Sequence, residues 1–126
     1  MLPPAPPLVA PSTIPAPVQW PVSDHLGDWA LLPSKPDWAS GFRAEWTPGE
    51  AGALERLEDF ADHARRYADQ RNLPARAGTS RLSPHLHFGE VSPAAVWHRV
   101  AGAGGSVGTF LGELGWRDYG QNVIMQ

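Results

Sequence analysis

Ten of the chain's 14 prolines fall between Pro3 and Pro36. Proline fixes φ and removes a backbone donor, so neither a continuous helix nor a central strand can be built through that stretch. Residues 1–23 therefore read as an extended, polyproline-like, semi-rigid linker. Residues 24–46 are also interrupted by Pro and Gly, but Trp29, Trp38 and Trp46 punctuate this part of the chain, with Trp20 just ahead of it. Free linkers are poor in aromatics, so this segment is expected to be irregular, to lie against a folded body and to bury its indoles there. The glycines have no three-residue period, which excludes collagen. No window approaches the ~18 apolar residues needed to span a bilayer. The absence of cysteine excludes a disulfide framework and any thiolate metal site or nucleophile. The N-terminus lacks the basic and apolar regions of a secretory signal. The expectation is a cytoplasmic protein holding one domain at most in its 126 residues.

Beyond the prolines, helical periodicity takes over. Thr47-Pro48-Gly49-Glu50 reads as a capping box, with Thr47 as N-cap, Pro48 at N1 and Glu50 at N3. Ala53, Leu54, Leu57, Phe60, Ala61, Ala64 and Tyr67 or Ala68 then recur at three and four, one apolar stripe. This helix is expected to reach about Gln70 and to stop before Asn72-Leu73-Pro74. Ser83-Pro84 predicts an N-cap and a short helix to about Phe88, with Gly89 as the stop. Ser92-Pro93 repeats the signal for a helix to about Ala101. Gly102 to Gly108 reads as a flexible loop, and a last helix starts near Thr109 with Phe110, Leu111, Leu114 and Val123 facing inward. No run alternates with a period of two, so the fold class is all-α. The sequence stops at Gln126 within a periodic helix, and so few short helices bury six Trp and four Phe poorly. A piece of a longer protein is expected.

Net charge is −3, yet the charge is uneven. From His63 to Arg81, Arg65, Arg66, Arg71, Arg76 and Arg81 face only Asp69. Residues 51–126 contain no lysine. Arginine suits bidentate phosphate contacts and stacking; a GC-rich coding bias with solvated helix faces accounts for the same composition.

Three clusters carry candidate chemistry. In Gly78 to Ser83, the hydroxyls of Thr79, Ser80 and Ser83 and the guanidinium of Arg81 gather in a turn that opens a helix, where amides and the dipole favour an anion such as a phosphate or pyrophosphate. A plain helix cap beside a solvated Arg is the competing reading. Glu113, Trp116 and Arg117 fall at i, i+3 and i+4, so an acid, a ring and an Arg share one helix face and suit a flat heterocycle, or else form a surface Glu113–Arg117 pair beside a core Trp. His85 and His87 lie two apart on different faces with no third ligand near, so no metal is expected. The glycines of 102–108 follow no strand and are read as a loop.

Taken together, Thr47-Pro-Gly-Glu, Tyr67-x-x-x-Arg71-Asn-x-Pro74, Gly78-Thr-Ser-Arg-Leu-Ser-Pro-His-Leu-His-Phe-Gly-Glu90-x-Ser-Pro93 and Glu113-Leu-Gly-Trp-Arg-Asp-Tyr119 resemble the DNA photolyase/cryptochrome family, at the start of its helical FAD-binding domain. The resemblance covers roughly residues 24–126 and implies a truncated helical FAD-binding domain over 24–126, with residues 1–23 as the interdomain linker. It implies that Tyr67 contacts the flavin, that Thr79, Ser80, Arg81, Leu82 and Ser83 hold its diphosphate, that Phe110 lies near it and that Arg117 lies between flavin and substrate. Arg71 matches a residue of the DNA-binding face. Glu113 matches the acid that hydrogen-bonds a flipped pyrimidine dimer in UV-damaged DNA, and Trp116 the ring that packs on it. In such enzymes, reduced FAD absorbs light and passes an electron to the dimer, which splits.

The departures define what the chain is expected to lack: the antenna domain with its chromophore, and the later segments that grip the isoalloxazine. Phe110 replaces a more usual Trp, and Asp118 a more usual Glu. The piece alone is expected to bind flavin weakly or not at all without the remainder of its domain. Two further readings stand beside a photolyase. One is a cryptochrome-type photoreceptor. The other is a helical interaction module without cofactor, whose PxxP-like residues 3–7 suit an aromatic groove.

Overall fold

A computed structural model describes residues 2–125, and every regular element among them is helical. None of these helices is long and apolar enough to cross a membrane. The chain forms two compact units, one from residues 8–46 and one from residues 47–125 together with residues 2–7.

The smaller unit is what its prolines allow. It holds a single 3-10 turn, Leu26–Trp29, and one four-residue helix, α1 (Ser40–Arg43). A fork from Arg43 onto both carboxylate oxygens of Asp37, at 2.7 and 3.1 Å, ties α1 to the preceding turn. That guanidinium holds the Asp37 carboxyl below the usual carboxylate range. The expectation of buried indoles fails here: Trp20, Trp29 and Trp38 are 75%, 57% and 70% exposed, and only Trp46 is half-buried. Trp20, Trp29 and Trp38 lie among prolines and turns, so no continuous apolar face forms on which to stack them.

The larger unit carries the core. Its helices are α2 (Glu50–His63), a 3-10 turn (Ala64–Arg66), α3 (Tyr67–Gln70), α4 (Ser83–His87), α5 (Pro93–Gly102) and α6 (Gly108–Ile124). The α2 stripe points inward as its periodicity requires, with Ala53, Leu57, Phe60 and Ala61 buried, followed by Ala64. Leu54 at the margin of the stripe and Ala68 are exposed, and Tyr67 is half-buried. Leu82, Val96, Val100, Phe110 and Leu114 complete the core where α5 packs on α2 and α6. Val123, expected inward, is exposed.

The helix boundaries separate local from non-local causes. Ser92 caps α5 as its sequence demands, its Oγ accepting from the Ala95 amide at 3.1 Å. Gly89, at φ +70°, ends α4 in the left-handed region that glycine occupies without cost. The capping box at Thr47 does not form. Gly49 is the N-cap, at φ +97°, and no side chain caps the helix locally. The Gly49 amide instead donates to Glu90 Oε1 at 2.8 Å, from 41 residues away. The Thr47 carbonyl meanwhile folds so closely over α2 that a Cβ at Gly52 has no room beside it. The single helix expected to run to Gln70 is broken by the 3-10 turn at Ala64–Arg66. Nor does Ser83 cap α4: it is the first helical residue, Leu82 is the N-cap, and Pro84 follows at the second position. Proline needs no amide partner at either place, so Ser83-Pro84 fixes the helix start only to within one residue.

Candidate functional site

Three aromatic rings build the floor from which the site rises. Phe60 of α2, Tyr67 at the start of α3 and Phe110 of α6 pack mutually, with centroids 4.6 to 5.8 Å apart and Tyr67 edge-on to both phenylalanines. Edge-to-face contacts of this kind fix ring orientation as well as burying area. The break between α2 and α3 lets Tyr67 leave the α2 stripe and cross to α6. Its hydroxyl donates to Glu113 Oε2. Arg71, one turn later, is ion-paired with Glu113 Oε1 and lies with its guanidinium 5.6 Å from the Tyr67 ring centroid. The Glu113 carboxylate is thus oriented by Tyr67 of α3 and by Arg71, the residue that follows that helix. Arg117, its i+4 neighbour, is not its partner among the described residues. That ion pair of the sequence reading is replaced by one to Arg71, because the turn after α2 carries Arg71 across to α6.

Beside this carboxylate lies a cavity of about 310 Å³ lined by Tyr67, Ser80, Ser83, Leu86, Phe110, Glu113, Leu114 and Arg117. Six of the expected site residues, from three separate stretches of sequence, are brought together there: Tyr67, Ser80, Ser83, Phe110, Glu113 and Arg117. Hydroxyls and a guanidinium stand near an apolar floor, a combination that seats an anionic group beside a flat one. Ser80 Oγ accepts from the Leu82 amide at 3.4 Å, so its own proton stays available for an anion. Arg81 takes φ +53°, the left-handed turn between Ser80 and Leu82.

The other expected residues lie elsewhere. Leu82 is fully buried in the core and is not among the cavity's lining residues. Thr79 and Arg81 are exposed and are not among the cavity's lining residues. Trp116 is 69% exposed and packs edge-on against Tyr119 at 5.8 Å rather than into the cavity. Arg71 stands behind Glu113 rather than in the wall.

One supporting pair was not expected from sequence, which weighed His85 only as a metal ligand. His85, 3% exposed, sets Nδ1 2.5 Å from Glu90 Oε2, while Glu90 Oε1 takes the Gly49 amide. The imidazole first, and that amide second, hold the Glu90 carboxyl below the usual carboxylate range. The helix that follows the hydroxyl loop is thereby fastened to the start of α2. Because the folded-state value lies below the unfolded one, this contribution is complete above the ordinary glutamate range and is lost as pH falls through the folded value. The thermal midpoint is expected to drop below about pH 5, and Glu90→Gln to flatten that drop while lowering the midpoint at neutral pH. Calorimetry across pH on both chains checks this; parallel curves would remove Glu90 from the acid response.

No family model matches the chain. The deoxyribodipyrimidine photo-lyase of Agrobacterium fabrum is 48% identical to it over 120 residues, 90% of this chain and 25% of that protein. The deoxyribodipyrimidine photo-lyase of Synechococcus is 39% identical over 98 residues, 70% of this chain and 20% of that protein. The crystal structure of a bacterial class III photolyase from Agrobacterium tumefaciens matches with a TM-score of 0.76 at 48% identity, covering 82% of this chain and 23% of that one. The chain therefore spans about a quarter of the length of the first relative and a fifth of the second. With its all-helical fold shared as well as its sequence, the chain belongs to the photolyase family.

Proposed function

We propose that this chain supplies one wall of the flavin and lesion site of a FAD-dependent deoxyribodipyrimidine photolyase, acting on pyrimidine dimers in UV-damaged DNA in the cytoplasm. The observation that carries the reading is the convergence of Tyr67, Ser80, Ser83, Phe110, Glu113 and Arg117 on one cavity. Their chemistry fits the cofactor in part. Ser80 and Ser83, with the loop from Thr79, would hold the diphosphate, Arg117 would add its positive charge, and Tyr67 and Phe110 would give apolar contact to the flavin. The volume of about 310 Å³ is at the low end for ligand sites, as befits one wall of a larger pocket. When bound and reduced, FAD supplies the light absorption and the electron for dimer splitting.

The chain's own residues bind and orient. Glu113 is the acceptor for a base turned out of the duplex: a carboxylate has about four lone-pair sites, and Tyr67 and Arg71 use only part of them. Trp116, exposed one turn along α6, offers a ring on which that base packs. Arg71, ion-paired with Glu113, and its neighbouring arginines supply charge toward the phosphate backbone.

A chimera tests this. Residues 2–125 would replace the matching stretch of the Agrobacterium fabrum relative. The chimera is expected to retain flavin absorbance and to restore thymine-dimer oligonucleotides under near-ultraviolet or blue light. A folded chimera that stays colourless with added FAD overturns the flavin wall and favours a helical interaction module. One that holds flavin but repairs nothing in the light favours a cryptochrome-type photoreceptor.

A further inference from the structure

Away from the candidate site, α5 and α6 leave a second cavity of about 360 Å³, and the chain's own N-terminal segment helps to form it. Leu2 and Pro4 line it together with Pro93, Trp97, Leu114 and Tyr119. The ring nitrogen His98 Nε2 lies 2.9 Å from the Pro4 carbonyl, 94 residues away in sequence. A carbonyl only accepts, so Nε2 carries the proton and donates.

The segment is Leu2-Pro3-Pro4-Ala5-Pro6-Pro7, four prolines in six residues. Such a sequence is biased to the polyproline II conformation before it binds anything, and its carbonyls are solvated rather than bonded within the segment. Docking it therefore costs less ordering entropy than docking an ordinary chain, and a groove needs only aromatic walls and a donor for one carbonyl. Trp97, Tyr119 and His98 provide those parts. We propose that the groove between α5 and α6 is a recognition site for proline-rich extended chain, engaged in cis by residues 2–7 through Pro4. This proposal is independent of the flavin reading. The groove has one occupant at a time, and the tethered segment holds it against a free peptide because tethering gives it a high effective concentration. Leu114 lines both this groove and the candidate site, so the docked segment braces the helix that carries Glu113 and Arg117.

Backbone nitrogen relaxation on the full chain tests the proposal, since Leu2 and Ala5 alone carry amides between residues 2 and 7. The Ala5 order parameter is expected near that of the folded body, about 0.85, and below about 0.6 in His98→Ala. His98→Gln, whose amide can still donate, is expected to restore it. In a second measurement, a spin-labelled peptide of residues 2–7 is added to the chain with Pro3, Pro4, Pro6 and Pro7 all replaced by Ser. It is expected to broaden the Trp97 indole resonance there and to spare it in the unaltered chain. Equal mobility of Ala5 in the unaltered chain and His98→Ala, or an unbroadened Trp97 in the serine variant, overturns the proposal.

Discussion

Glu113→Ala in the photolyase chimera is expected to slow light-driven dimer repair at limiting DNA by roughly 10- to 100-fold while leaving flavin absorbance intact. The magnitude follows from the loss of a hydrogen bond to a charged acceptor, worth ~1.5–3 kcal/mol, or about tenfold per 1.4 kcal/mol. The loss has two parts. On the proposed reading, a base turned into the site then has no carboxylate to receive its donor. Tyr67 and Arg71, which both engage Glu113, also lose the anion that orients them, and Arg71 is left as an unpaired charge beside the site. Glu113→Gln separates these effects, because its amide oxygen still accepts from Tyr67 but no longer neutralises Arg71. Repair kinetics under continuous illumination, with flavin content measured on the same samples, check both variants. A repair rate within twofold of the unaltered chimera would remove Glu113 from the lesion side.

Phe60→Ala is expected to cost about 3–5 kcal/mol of folding stability, the usual range for truncating a buried phenylalanine. Against a total of ~5–15 kcal/mol for a domain, that is a large share. Phe60 is buried and packs directly on both Tyr67 and Phe110, so the cavity left behind opens beneath the site. Tyr67 loses one of the two rings that set its angle, and its hydroxyl is then free to swing away from Glu113. Urea denaturation of the chain measures the first effect, and near-ultraviolet circular dichroism in the absence of denaturant the second. An unchanged aromatic signal with reduced stability would show that Phe110 alone orients Tyr67.

Much of this architecture is written locally. The three- and four-residue spacing of α2 marks Leu57 and Phe60 as core, Ser92-Pro93 places the start of α5, and Gly89 ends α4, because each signal acts within one helical turn. The site is partly legible for the same reason: the hydroxyls of residues 79–83 and the acid at 113 stand out by type and spacing. What periodicity alone does not give is the partner. Glu113 and Arg117 satisfy the i, i+4 rule on α6, yet Arg71 takes the carboxylate, since a turn elsewhere in the chain delivers it there. The exposed Trp29 and Trp38 make the converse point. Aromatic content suggests burial, but burial needs a facing surface, and the prolines around those residues prevent the smaller unit from building one.

The bond between Gly49 and Glu90 has a consequence for the order in which the molecule assembles. In an ordinary capping box the glutamate that receives the first amide lies three residues on, so a helix can seal its own entrance as soon as it forms. Here that role belongs to a residue 41 positions later. During synthesis, the Gly49 amide therefore has no Glu90 to donate to until the chain through residue 90 has been made, so this seal on α2 closes after the helix's own residues are complete.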